Sequence, residues 1–201
     1  LARRERVCAL VDVSHPYAVE LRATAERVAQ EVGIPYLTYV RPAGAAAGDG
    51  VIIVTGHADA ARVACESGRP VLLTVGSRNT AVYAREAARR QVTLIARVLP
   101  HADSLAACRA AGITKECIVT ARGPFGVEEN RALIRQFGAG VLVTKDSGAA
   151  GGFPAKRDAA RLEACRLVVV GRLPQGSGKV FGDTNALVRA VLAAILKRGA
   201  Q

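Results

Sequence analysis

Short, almost unbroken apolar runs recur along this chain and limit its fold more than any other feature. They occupy residues 7–13, 36–40, 51–55, 71–75, 92–98, 117–121, 141–144 and 167–170. Runs this short are strands, and a strand apolar on both sides must be covered on both faces. Between them lie segments of helical period. Leu21, Ala25, Val28 and Val32 are spaced for one helix, which stops at Gly33. Residues 57–66 predict a short helix, 83–90 an exposed linking helix, and 102–111 a helix ended by Gly112. Val127, Leu133, Ile134 and Phe137 face inward on the next, and residues 154–164 form another. The last helix starts at Asp183 or Thr184 as N-cap. Leu187, Val188, Val191, Leu192, Ile195 and Leu196 are expected on its buried face. Alternation of this kind predicts an α/β protein of parallel sheets flanked by helices, in two lobes, residues 1–90 and 91–201.

Composition narrows the class. With 201 residues and half of them hydrophobic, the chain has enough material for a proper core. No apolar run approaches the roughly 18 residues of a membrane helix. No secretory signal opens the chain, so no membrane role and a cytoplasmic location are expected. Five scattered Cys without C-x-x-C read as reduced, mostly buried thiols rather than disulfides or a zinc site. The chain lacks Met and begins L-A-R-R-E-R, so its natural start is expected to be processed or missing. The net charge of +11 calls for an anionic partner. Nucleic-acid binders concentrate their charge and interleave aromatics. Here the eight Tyr and Phe are few and the Arg residues dispersed, so small anions are favoured and no nucleic acid is expected.

The chemistry gathers directly after strands. In V-L-V-T-K-D-S-G-A-A-G-G-F-P (141–154) a buried strand runs into Lys145, Asp146, Ser147 and the glycines 148, 151 and 152, and Pro154 suits a first helical turn. Bare backbone, free N–H groups and the helix dipole together accept a phosphate or carboxylate. Glycines serving geometry alone would look similar, but K-D-S between strand and glycines favours a ligand held by Lys145, Ser147, Gly148, Gly151 and Gly152. Gly76-Ser77-Arg78-Asn79 offers a backbone nest and a guanidinium. Gly123-Pro124-Phe125 gives a rigid turn with an aromatic platform for a flat ring. D-V-S-H-P-Y (12–17) places Ser14 and His15 before a proline; ligand contact is preferred over helix capping by Asp12 and Ser14. In parallel folds ligands sit beyond the carboxyl ends of strands, so these four loops are expected to converge.

Other patterns carry less. His57 and His101 stand at helix starts and read as structural or exposed. G-R-L-P-Q-G-S-G-K (171–179) fails P-loop spacing because Ser177 occupies the lysine position. G-x-G-x-x-G, a nucleophile–base pair, a carboxylate dyad and a metal-ligand cluster are all lacking. A borrowed cofactor is the economical source of chemistry, and no metal is expected.

Six blocks together resemble the precorrin-6A reductase family, including its cobalt-precorrin counterpart, of corrin (cobalamin) biosynthesis. They are D-V-S-H-P-Y-A (12–18), G-I-P-Y-L (33–37) with R-P (41–42), G-S-R-N (76–79), R-V-L-P (97–100), G-P-F (123–125) and V-L-V-T-K-D-S-G-A-A-G-G-F (141–153). The resemblance implies two Rossmann-like lobes, the first truncated because the family's opening glycine-loop segment has no counterpart here. The family also tends to end its late strand with R-R-P or R-P, where this chain reads G-R-L-P (171–174).

The activity implied is an NAD(P)H-dependent oxidoreductase acting on a CH–CH bond, with cofactor and tetrapyrrole in the cleft. Hydride goes to a ring-D carbon of precorrin-6A or cobalt-precorrin-6A, and a proton to its neighbour. NADPH is expected, with NADH possible, and the chain is expected to be a monomer. Residues 76–79 with Lys145, Ser147, Gly148, Gly151 and Gly152 are assigned to cofactor; Ser14, His15, Gly123, Pro124 and Phe125 to substrate. His15, Tyr17 and Asp146 are the candidate proton donors, His15 first because its unperturbed pKa near ~6.5 suits donation. The alternatives are another NAD(P)H-dependent Rossmann reductase of a different anionic substrate, or a non-catalytic nucleotide-binding fragment.

Overall fold

A computed structural model describes residues 7–14, 18–40, 50–171 and 179–199. In chain order the elements are β1 (Leu10–Asp12), α1 (Val19–Val32), β2 (Tyr36–Tyr39), β3 (Val51–Val54), α2 (His57–Cys65), β4 (Val71–Leu73), α3 (Thr80–Arg90) and β5 (Leu94–Val98). They continue with α4 (Ala102–Ala110), β6 (Ile118–Thr120), α5 (Val127–Phe137), β7 (Val141–Lys145), α6 (Phe153–Leu162), β8 (Arg166–Val170), β9 (Lys179–Phe181) and α7 (Thr184–Gly199). Single 3-10 turns at Lys115–Cys117 and Ala149–Gly151 precede β6 and α6.

Two compact units emerge: Ala43–Arg172, and Leu1–Pro42 together with Leu173–Gln201. The division expected after residue 90 is not where the chain separates. β4 and β5, which flank that position, are hydrogen-bonded neighbours with Val71 opposite Leu94.

The larger unit holds a six-stranded, wholly parallel sheet of order β3-β8-β7-β4-β5-β6. From β4 the chain steps outward through β5 and β6, then returns to β4's other side to lay β7 and β8. The order therefore reverses between β4 and β7, where open α/β sheets form a crevice for ligands. On one face Leu133 and Ile134 of α5 and Ala159 and Ala160 of α6 pack with Leu72, Ile95, Leu142, Leu167 and Val169. α2, α3 and α4 pack in succession on the other face, burying Ala60, Ala64, Tyr83, Ala87 and Cys108. Each fully buried Leu or Ile contributes about 1.5–3 kcal/mol. α3 is thus not the exposed linking helix expected: Thr80, Tyr83 and Ala87 form a buried stripe at helical spacing.

The smaller unit is a parallel three-stranded sheet, β1-β2-β9, with α1 and α7. β9 was not legible in sequence, since K-V-F is too short to show a period. α1 ends at Gly33, whose φ of 72° is the left-handed cap a glycine supplies. Its inward residues are Arg22 and Ala29, whereas Leu21 is exposed. The helix turns one residue from the expected phase because buried Asp12 takes Arg22 as partner at 3.0 Å. Asp183 caps α7 as expected, accepting from the Ala186 N–H at 2.7 Å. Of α7's expected apolar face only Leu187 is buried; Val188, Leu192, Ile195 and Leu196 are exposed.

Candidate functional site

Three of the four polar loops lie along the carboxyl edge of the six-stranded sheet. Thr74 pins the switch point, its N–H and its hydroxyl both donating to the Val143 carbonyl at 2.9 Å. Gly76 follows with φ 83° and open space where a Cβ would stand. Ser77 Oγ donates to Ser104 Oγ at 3.3 Å, and the Ser77 carbonyl accepts from the Thr80 hydroxyl. Asn79 is the N-cap of α3, and Arg78 is exposed beside it.

The 145–152 loop is built from its own side chains. Asp146 is buried, and its Oδ1 accepts from the Gly148 N–H at 3.3 Å. Gly148 has φ 66° and ψ −173°, a region open only to glycine. Ser147, also buried, donates to the Gly151 carbonyl at 3.0 Å. A side chain at Gly151 would overlap that of Ser147, so this glycine serves the loop's closure as well as any ligand. Burial, and then the charge of Arg78, push the Lys145 amine below its usual range.

These loops enclose a cavity of about 400 Å³ lined by Thr74, Gly76, Arg97–Leu99, Ala121, Gly123–Phe125, Gly151 and Lys156. The size is that of a small-molecule pocket. Two cations dominate it, and neither was singled out from sequence. Arg97, on β5, is only 7% exposed and its guanidinium lies 4.0 Å from the centroid of the Phe125 ring. Burial pushes its pKa down to about 10, against a small opposing pull from Glu129. Lys156, in the first turn of α6, donates to the Gly151 carbonyl at 3.1 Å. Burial and the charge of Arg97 lower its pKa to about 8. The signal available in sequence was the charge itself: L-I-A-R-V sets an arginine inside a strand covered on both faces.

His57 opens α2 after β3. Its Nδ1 lies 2.7 Å from the Tyr83 hydroxyl in a part-buried contact. Burial, then Lys145's charge, lower its pKa to about 4, so it is neutral at pH 7. The histidine read as structural or exposed therefore has a buried partner, Tyr83, and lies within the field of Lys145.

The fourth loop follows β1 in the smaller unit. The Ser14 N–H donates to Asp12 Oδ1 at 2.8 Å, and Ser14 Oγ is buried without a hydrogen-bond partner among the described residues. His15 and Tyr17, with Pro16, lie outside the described residues. Among those described, no group of three His, Cys, Asp or Glu is placed to hold a metal ion, and no helix is long and apolar enough to cross a membrane.

A wholly parallel sheet with glycine-rich loops at its switch point defines the open α/β class, in which ligands bind beyond the carboxyl ends of the strands. The solved structure described as CobK precorrin-6A reductase shares this fold, with a TM-score of 0.78, 21% identity, and coverage of 96% of this chain and 76% of that one. Residues 1–192 match the family described as precorrin-6x reductase CbiJ/CobK, and the chain belongs to that family. It is 35% identical to the cobalt-precorrin-6A reductase of Priestia megaterium over 92% of this chain and 73% of the relative. Against the precorrin-6A reductase of Mycobacterium tuberculosis (strain ATCC 25618 / H37Rv) it is 36% identical, over 89% of this chain and 69% of that one. A further cobalt-precorrin-6A reductase, from Methanothermobacter thermautotrophicus, is 32% identical, and the chain spans 64% of its length.

Proposed function

We propose that this chain reduces precorrin-6A, or its cobalt form, in cobalamin biosynthesis, with NADPH as reductant. The observation that carries this is the meeting of three strand-end loops around a cation-lined cavity at the switch point of a chain belonging to this family. The residues suit a phosphorylated dinucleotide: an open backbone at Gly76, the α3 N-terminus, and a buried arginine and half-buried lysine facing the cavity. Gly76, Ser77, Arg78 and Asn79, with Lys145, Ser147, Gly148, Gly151 and Gly152, would hold it. Bound there, a reduced nicotinamide supplies hydride.

The remaining work falls to the chain's own side chains. Gly123, Pro124 and Phe125 offer a platform to the flat macrocycle, and Ser14 and His15 contact its carboxylate fringe. Reduction leaves a carbon that must take up a proton. His15 is the preferred donor, with Tyr17 and Asp146 behind it. Asp146 is the weaker choice because its oxygen already accepts from Gly148. The protein works as a monomer in the cytoplasm.

The test is anaerobic oxidation of NADPH and of NADH with precorrin-6A or cobalt-precorrin-6A present. Oxidation that depends on the macrocycle is expected, faster with NADPH. A folded protein that binds neither cofactor nor macrocycle would refute the assignment, and oxidation driven only by another anionic acceptor would favour a different reductase. For the proton step, His15→Ala should slow single-turnover oxidation by roughly 10²-fold or more and remove a titration near neutral pH. An unchanged rate excludes His15 from the chemistry.

A further inference from the structure

A second cavity, of about 340 Å³, opens at the amino edge of the six-stranded sheet. Gly50, Arg69 and Gly140 on its lining precede β3, β4 and β7, and Arg166 is the first residue of β8. The strands are parallel, so this cavity and the one described above lie at opposite ends of them. Backbone hydrogen bonds lace its walls. The Gly140 N–H donates to the Pro70 carbonyl at 2.9 Å, the Arg166 N–H to the Gly140 carbonyl at 2.9 Å, and the Leu167 N–H to the Gly50 carbonyl at 3.0 Å. A side chain on Gly140 would overlap that of Arg69, so the glycine makes room for the arginine. Ala164, left-handed at φ 48°, turns the end of α6 into β8 between Arg161 and Arg166.

The charge in this cavity is one-sided. Arg69, Arg161 and Arg166 all line it, and no Asp or Glu does. Among the described residues none of the three guanidinium groups has an ion pair or hydrogen bond. Arg27 and Arg89, by contrast, find Glu31 and Glu86 at 2.7 and 2.8 Å. The acids adjacent in sequence are engaged elsewhere: Glu66 with Arg62 at 2.9 Å, and Glu163 with Arg131 and Arg135 at 2.7 and 2.6 Å. Ser67, also on the lining, accepts from the Arg69 N–H at 3.4 Å and keeps its hydroxyl proton to donate. Like charges gathered in a concave wall focus their field on an entering anion, and guanidinium forks match carboxylate and phosphate oxygens.

We infer that this cavity is a second binding site, for a compact polyanion whose oxyanion groups are held by Arg69, Arg161, Arg166 and the Ser67 hydroxyl. The inference goes beyond the reductase reading and does not rest on it. Two sources carry the chemistry, a diphosphate and a small polycarboxylate such as citrate, and the volume is at the lower end of small-molecule pockets.

Calorimetric titration of the full chain with sodium diphosphate and with citrate, at fixed ionic strength in phosphate-free buffer, tests the site. Saturable one-to-one binding of diphosphate is expected. Arg161→Gln and Arg166→Gln should each weaken it by about 10- to 100-fold. Both arginines are exposed, so these variants are expected to fold with unchanged melting temperatures. Arg109→Gln, which removes an exposed arginine of α4 off the site, should leave binding unchanged. Hydrogen exchange should show diphosphate protecting residues 67–70 and 164–166 and leaving 74–79 and 145–152 as they were. Citrate that binds with the same arginine dependence, where diphosphate does not, supports the site and assigns it to a polycarboxylate. The site is refuted by a lack of saturable binding for both anions, by equal losses in Arg109→Gln and the site variants, or by protection at 74–79 and 145–152 instead. Any of these leaves macrocycle-dependent cofactor oxidation standing, so the two readings fail separately.

Discussion

The two compact units treat buried charge in opposite ways. In the smaller unit Asp12 is surrounded: Arg22 Nε donates to it at 3.0 Å, the Tyr36 hydroxyl at 2.8 Å and the Ser14 N–H at 2.8 Å. Burial pushes this carboxyl up, but the hydrogen bonds from Ser14, Arg22 and Tyr36 outweigh it and hold the pKa at about 2. In the larger unit Arg97 and Lys156 face a cavity with no acid among its described lining residues. The contacts of Arg97 and Lys156 are instead a ring face and one carbonyl, Phe125 and Gly151. The cores differ to match. The larger unit buries a continuous aliphatic cluster, while the smaller one has Ala29, Ile34 and Tyr36 and relies on its polar knot.

The largest expected effect strikes the knot. Asp12→Ala removes the buried carboxylate that Arg22, the Tyr36 hydroxyl and the Ser14 N–H share, and should cost about 3–5 kcal/mol in urea unfolding. A comparable loss for Arg97→Met would erase the contrast. The same carboxyl gives an acid signature. Its folded pKa of about 2 lies below the unfolded value near ~3.9, so its contribution is complete above pH ~4 and is lost as pH falls toward 2. Asp12→Asn should remove that dependence.

Next in size is the glycine-rich loop at 145–152. Gly148→Ala forces a side chain into a glycine-only conformation and should cost about 1–3 kcal/mol. The loss should be accompanied by faster hydrogen exchange across residues 146–152. A neutral result would mean the loop relaxes freely and is not preorganised.

The smallest effect sharpens the site itself. Lys156 titrates at about 8 folded and near ~10.4 unfolded, so between these values the unfolded chain binds more protons. Ligand-free stability of the larger unit should therefore rise with pH from 8 toward 10.4, and Lys156→Met should flatten that rise.

What sequence could show follows from these same residues. Parallel strands and their order of loops were legible because V-L-V-T and L-V-V-V admit no other use, and K-D-S-G-A-A-G-G marks its own turn. The unit boundary was not, because β9 pairs with β2 across most of the chain, and sequence separation says nothing of such a return. The phase of α1 was misjudged because Leu21 is the more apolar candidate, whereas a buried carboxylate elsewhere selected Arg22. Arg97 and Lys156 were passed over for a related reason. Arg97 heads R-V-L-P, noted only as part of the resemblance, and Lys156 follows the glycine loop as an ordinary helical lysine; only their convergence on one cavity distinguishes them.

The function proposed above requires ligand to bind at the carboxyl edge of the six-stranded sheet, across its switch point. Hydrogen exchange followed by mass spectrometry, with and without NADPH and precorrin-6A, tests it directly. The expected result is protection of residues 74–79, 121–126 and 145–152, with the opposite edge, around residues 67–70 and 164–166, unchanged. Saturating ligand that leaves those three loops exchanging as before, while protecting other segments, would contradict it.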